Sequence, residues 1–161
     1  MFLFKGFANS LRGSLLMSLC FVAFGIGNAG TAAAASNVPA IESAVAAFKT
    51  IGTLRREFPI DADAITAAYT GALQTLAQEA DAANGLGLDS SVLAAIKEIK
   101  DDNEPILAAQ VIDKSLQHVF FQTILDRITA VRDDFDTGAT ASLVAQWDEA
   151  AAAFEAIKGT A

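Results

Sequence analysis

Apolar residues recur at intervals of three and four along almost the whole chain after residue 38, and alanines fill many of the positions between them. This spacing places apolar side chains on one side of an α-helix, whereas a half-buried strand would require strict alternation. Alanine also has the highest helix propensity of all residues. The pattern therefore predicts an all-α fold. The short turns between the helical segments predict antiparallel neighbours in an up-and-down helical bundle.

Four long helices and one short helix are expected. Proline near a helix start, and glycine or Asn and Asp residues near a helix end, indicate the boundaries. Asp61 and Asp89 are the expected N-caps of the second and third helices, because a carboxylate can accept hydrogen bonds from the free N–H groups there. The predicted helices span residues 39–54, 61–83, 90–100, 104–135 and 141–158.

Each predicted helix has an apolar stripe that we expect to form the core. The fourth helix is discussed separately below. In the other four helices the expected core residues are Ile41, Val45, Phe48 and Ile51; Ile65, Ala68, Tyr69, Ala72, Leu76, Ala80 and Ala83; Val92, Leu93, Ile96 and Ile99; and Leu143, Trp147, Ala150, Phe154 and Ile157.

The first 35 residues have the order of a secretory signal peptide. Lys5 and Arg12 give a positive start, residues 14–26 are uncharged and mostly apolar, and residues 29–35 are small and contain an Ala-x-Ala pattern. We expect cleavage after the last of these alanines, which leaves residues 36–161 as one exported domain, periplasmic or secreted. The alternative is a leader retained as an N-terminal anchor. Its apolar core is shorter than the roughly 20 residues that span a bilayer.

Removing the leader removes Cys20 and both methionines, so the mature chain contains no sulfur. Disulfides, thiol redox chemistry, iron–sulfur clusters, c-type haem and the usual structural zinc sites are excluded for such a chain. A single histidine, His118, cannot supply the two Glu-x-x-His motifs of a di-iron bundle. Glycine-rich phosphate-binding motifs and the serine-hydrolase motif are also absent from the sequence. We therefore expect no cofactor and no enzymatic activity.

The charge of the mature chain limits its partners. Removing two of the eleven basic residues with the leader leaves nine against 19 acidic ones, a net charge of −10. Such a surface repels nucleic acid and anionic membranes, because both are bound through clustered Lys and Arg. We expect a protein partner or self-association, with a divalent cation as an alternative ligand and membrane contact only through an uncleaved leader.

The fourth predicted helix changes character along one side. Its C-terminal half has a wide apolar face. Extending that face toward the N-terminus meets polar and charged residues instead, with His118 beside them. The apolar residues are Phe120, Phe121, Ile124, Leu125, Ile128, Val131 and Phe135, and the polar ones are Gln110, Asp113, Lys114 and Gln117.

Two interpretations fit this change. In the first, the N-terminal half buries its other face through Ile112, Leu116 and Val119, and the polar group meets solvent. In the second, the polar group lines a pocket at one end of the bundle, where buried charges need partners. The candidate partners on other helices are Tyr69, Glu79, Gln146 and Arg55.

The leading functional hypothesis is an exported, non-catalytic helical-bundle protein that binds a protein partner. Trp147, Phe154, Phe120 and Phe121 are expected in the core. If the bundle fails to cover Phe121 and Leu125, the remainder becomes an interaction patch. The alternative hypothesis is a protein that binds a small ligand or a hard metal ion. Its candidate site consists of Tyr69, Glu79, Gln110, Asp113, Lys114, Gln117 and His118.

Overall fold

The computed structural model describes residues 36–159, which form six α-helices and no strand. The prediction of an all-helical bundle is confirmed. The leader, with Cys20 and the expected cleavage site, lies outside the described residues. None of the six helices is both long and apolar enough to cross a membrane. The helices are α1 (Val38–Leu54), α2 (Ala62–Tyr69), α3 (Ala72–Asn84), α4 (Leu88–Lys100), α5 (Pro105–Asp133) and α6 (Thr140–Ile157).

The long helix α5 is the centre of the bundle. It packs most extensively against α6 on one side and α4 on the other, and α1 closes the core against α6 and α3. Phe48 of α1 meets Phe120 of α5 with ring centroids 5.5 Å apart. The stripe predicted for the first helix is entirely buried. Other fully buried side chains are Ile65, Leu73, Val92, Ile112, Leu116 and Val119.

The second predicted helix is in fact two helices. Asp61 caps the start of α2 as expected, because its carboxylate accepts hydrogen bonds from the backbone N–H groups of Asp63 (3.0 Å) and Ala64 (2.9 Å). The helix then stops at Thr70, which is extended, and Gly71 has φ 112° and ψ −129°. The prediction of a continuous helix over 61–83 was wrong at this point, because this backbone conformation is open essentially to glycine alone.

The third predicted helix starts earlier than expected, at Leu88 rather than Ser90. Asp89 lies inside its first turn and is not the cap. The free N–H groups are satisfied by Asp81 of α3, whose carboxylate accepts from the backbone of Leu88 (2.6 Å) and of Asp89 (2.9 Å). A side chain from the preceding helix therefore replaces the local cap. Leu93, expected in the core, is exposed.

Helix α6 turns its largest side chains outward. Trp147 is 59% exposed and Phe154 is 52% exposed, so their predicted place in the core was wrong. The buried side of α6 consists of Ala150, Ala153 and Ala156, with Glu149 beside them. Small side chains let neighbouring helix backbones approach closely, so α6 packs against α1 and α5 through alanine.

The C-terminal half of α5 is less buried than its apolar face predicts. Phe120 is in the core, but Phe121, Leu125 and Ile128 are exposed. The N-terminal half instead buries the face with Ile112, Leu116 and Val119, as the first interpretation expected. The fully buried side of α5 therefore ends at Thr123. Beyond it, the large apolar residues of the helix are only partly covered.

Candidate protein-interaction site

The polar group of α5 is partly brought together. Asp113 is buried, and its carboxylate lies 3.1 Å from Nη2 of Arg55, which caps the end of α1. Gln117 Nε2 donates to the same carboxylate (2.9 Å), and Lys114 Nζ donates to Gln117 Oε1 (3.1 Å). The buried charge thus has the cationic partner that burial requires. Of the partners expected for Asp113, the structure supplies Arg55.

Other candidates on α5 point elsewhere. Gln110 is exposed. His118 is half-buried, with Nε2 3.0 Å from the side-chain amide of Gln122. Five residues separate His118 from Asp113, which places them about 140° apart around the helix. The two side chains therefore do not converge on a common ligand.

Tyr69, which is buried, and Asp89, which is half-buried, form a separate hydrogen-bond network. The Tyr69 hydroxyl donates to Asp89 (2.6 Å), which also accepts from Gln78 (3.1 Å) and Gln74 (3.3 Å). Burial, together with the hydrogen bond to Asp89, raises the pKa of Tyr69 far above its usual value. Burial pushes the pKa of Asp89 up, but the hydrogen bonds from the three side chains outweigh it, so this pKa is lowered. The network joins α2, α3 and α4.

Glu79 lies in a third location on the bundle. It is exposed and borders a small groove of about 170 Å³ beside Ile41 and Leu76. The structure therefore does not bring Tyr69 and Glu79 to Asp113. Within residues 36–159, no group of three or more His, Cys, Asp or Glu side chains is arranged to hold a metal ion.

A cleft of about 420 Å³ lies between the ends of α1 and α6 and the polar part of α5. Asp113 and Gln117 are among the residues that line it. The sequence predicts these two residues at a pocket with Arg55 as a possible partner, but it does not predict the other three cations around them, which come from α1 and from the ends of α1 and α6. The cations are Lys49, Arg55, Arg56 and Lys158.

A large apolar surface lies on α5 and α6. We call it the outer face. Its six large side chains are all at least 41% exposed, although they neighbour one another on two packed helices. Between the helices runs a groove of about 260 Å³ lined only by apolar residues, among them Ile124 and Ala150 at its base. The members of the outer face are Phe121, Leu125 and Ile128 of α5 and Val144, Trp147, Ala151 and Phe154 of α6.

The sequence contains a signal for this outward arrangement. Residues 149, 150, 153 and 156 form a second stripe of helical spacing on α6, and three of the four are alanine. Helical geometry puts residues 149, 153 and 156 at least about 100° around the helix from Trp147 and Phe154, with Ala150 between the two stripes. The prediction that the bulkier stripe forms the core therefore gives α6 the wrong orientation. Phe121 and Leu125 were identified as conditional members of a patch, and Ile128, Val144 and Ala151 were missed.

No family model matches the chain, and comparisons with curated proteins and with solved structures give no significant match. The candidate site therefore rests on the chain's own geometry.

Proposed function

We propose that this chain is an exported, non-catalytic, up-and-down bundle protein that acts by binding a protein partner through the outer face. The observation that supports the proposal is the exposure of six large apolar side chains on two adjacent helices. Contiguous apolar surface is unfavourable in water, and on monomers it is typical of interaction sites. Trp and Phe are also enriched where protein interfaces gain most of their binding energy.

The core does not need these side chains. Alanines fill the buried side of α6, and Ile112, Leu116 and Val119 fill that of α5. Trp147 and Phe154 therefore contribute little to packing within one copy of the chain. A role in binding explains why the largest side chains of α6 face outward.

Site-specific photo-crosslinking in the producing cells tests this function. A photo-reactive residue in place of Trp147 should give a discrete protein adduct. The same residue in place of Ile106 is the control, because Ile106 is 63% exposed on α5 but lies outside the outer face. Adducts of equal yield from both positions, or none from position 147, would contradict the proposal.

Export is tested by the N-terminus of the protein recovered from the cell envelope or medium. We expect mass spectrometry to find a chain that starts near Ser36. The positive start, the apolar segment and the Ala-x-Ala pattern support this expectation. A recovered chain that still starts at Met1 would indicate a retained anchor instead.

A second candidate function is the binding of a small anionic ligand in the cleft next to Asp113. The specific observation in its favour is that four cations line one cleft in a chain with net charge −8. Lys49 and Arg56 have no ion-pair partner within residues 36–159. They are therefore free to bind a carboxylate or phosphate group.

Calorimetric titration with succinate and with inorganic phosphate tests this candidate. We expect binding that is weakened at least tenfold in Arg56→Ala. Absence of binding to the unmodified protein would contradict it. Titration with calcium, compared between the unmodified protein and Asp113→Asn, tests the hard-cation alternative in the same assay.

A further inference from the structure

The outer face carries no negative charge, although the chain has 19 acidic and 11 basic residues. All seven members are uncharged. On the same side of α5 and α6, nearer the helix ends, lie Lys114, Arg132 and Lys158, all of them basic. The nearest carboxylates on α6 are those of Asp148 and Glu155 at its edge, and Glu155 forms an ion pair with Lys158. Two copies that meet here bring few carboxylates together.

The spacing within the outer face is that of helix–helix packing. The α5 members are four and three residues apart, and the α6 members are three, four and three apart. Alternation of three and four lets side chains of one helix enter the spaces between side chains of another. Two helices with this spacing on the same side present a layer to which a second antiparallel pair can pack, as in a four-helix bundle.

The size of the outer face also suits association of two copies. The exposed parts of its six large side chains add up to roughly 600 Å² of apolar surface. This is near the upper end of the largest patches on monomers, about 300–600 Å². With a surrounding polar rim it approaches the roughly 800 Å² per partner of a standard protein interface.

We propose that the partner bound by the outer face is a second copy of this chain, in a twofold-symmetric dimer in which the two α5–α6 pairs pack face to face. This inference rests on the proposed function. A twofold axis brings the same patch of both copies together, so the patch must be complementary to itself. The groove between α5 and α6, flanked by Trp147 and Phe154, offers each copy a depression that receives apolar side chains of the other.

Size-exclusion chromatography with light scattering tests the dimer on the purified protein, taken as the producing cell leaves it. We expect twice the monomer mass at high concentration and the monomer mass after dilution. Trp147 is the chain's one tryptophan and is a member of the outer face, so its fluorescence reports on the interface directly. Its emission should shift to shorter wavelength as the dimer forms.

Two variants locate the interface. Leu125→Asp and Ala151→Glu should each weaken the dimer at least a hundredfold, because each places a carboxylate in the apolar layer. Both positions are solvent-exposed in the monomer, glutamate favours helix, and a single aspartate is a small loss of helix propensity in the 29-residue α5, so far-UV circular dichroism should be almost unchanged. Ile106→Asp is the control. It adds the same charge to the same helix about 28 Å from position 125, and should leave the dimer intact.

A monomer at every concentration would overturn the dimer, and so would a dimer that both outer-face variants leave intact. If the protein is monomeric but position 147 crosslinks to a different protein in cells, the second copy is wrong while the proposed function stands. Absence of both the dimer and the crosslink would contradict the dimer and the proposed function together.

Discussion

At the scale of single residues, the bundle buries two carboxylates, and each has an arginine beside it. Asp113 pairs with Arg55, and Glu149 Oε2 lies 2.7 Å from Nε of Arg127. Glu149 also accepts a hydrogen bond from the backbone N–H of Asn37 (2.8 Å), which ties the start of α1 to α6. Arg55 could be predicted as a partner for Asp113 because it ends the first helix. Glu149 could not, since its neighbours come from distant parts of the chain.

Removing the carboxylate of Asp113 should destabilise the fold. Asp113→Ala leaves Arg55 partly buried without its counter-charge, so we expect a loss of about 1–3 kcal/mol in the free energy of unfolding, measured by urea denaturation. Asp101→Ala is the matched control, because it removes an exposed i,i+4 partner of Lys97. That variant should show no measurable change. Equal losses in both variants would contradict the role given to burial.

The Tyr69–Asp89 network predicts a pH dependence at each extreme. Since folding raises the pKa of Tyr69, its stabilisation is complete below the unfolded value near pH 10 and is lost as pH rises above it. Since folding lowers the pKa of Asp89, its stabilisation is present above about pH 4 and is lost as pH falls through the lower folded value.

Tyr69 is the chain's one tyrosine, so phenolate absorbance follows it alone. We expect no phenolate signal in the folded protein near pH 10 and about half of the full signal after unfolding in urea at the same pH, because an unfolded tyrosine is half ionised there. Tyr69→Phe should remove the tyrosine part of the alkaline loss and cost about 1–3 kcal/mol at neutral pH, because Asp89 loses a donor. A native titration near pH 10 would contradict the buried hydrogen bond.

At the scale of elements, the ends of several helices follow from local chemistry. Pro39 and Pro105 lie at the starts of α1 and α5, and both starts agree with prediction to within a residue. The break between α2 and α3 does not follow, because the apolar stripe runs through it. A single glycine in a helical pattern is compatible with a helix. Whether the helix breaks at Gly71 depends on how α2 and α3 pack against their separate neighbours.

Two glycines should respond to alanine in opposite ways. Gly71→Ala should destabilise the protein by about 1–3 kcal/mol, since a Cβ at φ 112° is strained even though it meets nothing within 4 Å. Gly52 lies in α1, where a Cβ is also unobstructed. Gly52→Ala should therefore stabilise by roughly 0.5–1 kcal/mol through helix propensity. Thermal or urea unfolding measures both, and the same sign in both would contradict the assigned backbone at Gly71.

The orientation of α6 could not be predicted from the hydrophobic pattern alone. Trp147, Phe154 and Ile157 form one good stripe, and the alanines form another. Hydrophobicity favours burial of the bulky stripe, whereas close helix approach favours the small one. The choice depends on the space left between α1 and α5, which is a property of the assembled bundle. For the same reason, the candidate site was foreseen only in part.

Leucine at two alanine positions of α6 tests this packing. Ala153 is fully buried, so Ala153→Leu should overpack the seam with α1 and α5 and cost about 1–3 kcal/mol. Ala151 is exposed on the outer face, and Ala151→Leu should leave the unfolding free energy of the monomer almost unchanged. Urea unfolding at low protein concentration measures both. A larger loss at position 151 would indicate that α6 faces the other way.

At the scale of the whole molecule, net charge and the outer face act in opposite directions. A net charge of −8 makes two copies repel one another, while the uncharged outer face attracts. Salt screens the repulsion between surface charges, with a Debye length of about 10 Å at 0.1 M. The apolar contact is not weakened by this screening.

Raising the salt concentration should therefore strengthen the proposed dimer several-fold. Sedimentation equilibrium at low and at moderate sodium chloride measures the change in the dissociation constant. Leu125→Asp should remain monomeric in both conditions, which controls for nonspecific association. A dimer that weakens with salt would indicate an interface held by ion pairs, and would contradict the apolar outer face as its basis.

The buried alanines of α6 and its exposed aromatic residues are under different constraints. Ala150, Ala153 and Ala156 are restricted by the space inside the bundle, because all three are buried and a larger side chain there would overpack the core. Trp147 and Phe154 are free of that restriction. Mutation can therefore change the surface that α6 presents without first solving a new packing problem. If the outer face binds a partner as proposed, a few surface substitutions change its specificity and leave the buried packing of α6 as it is.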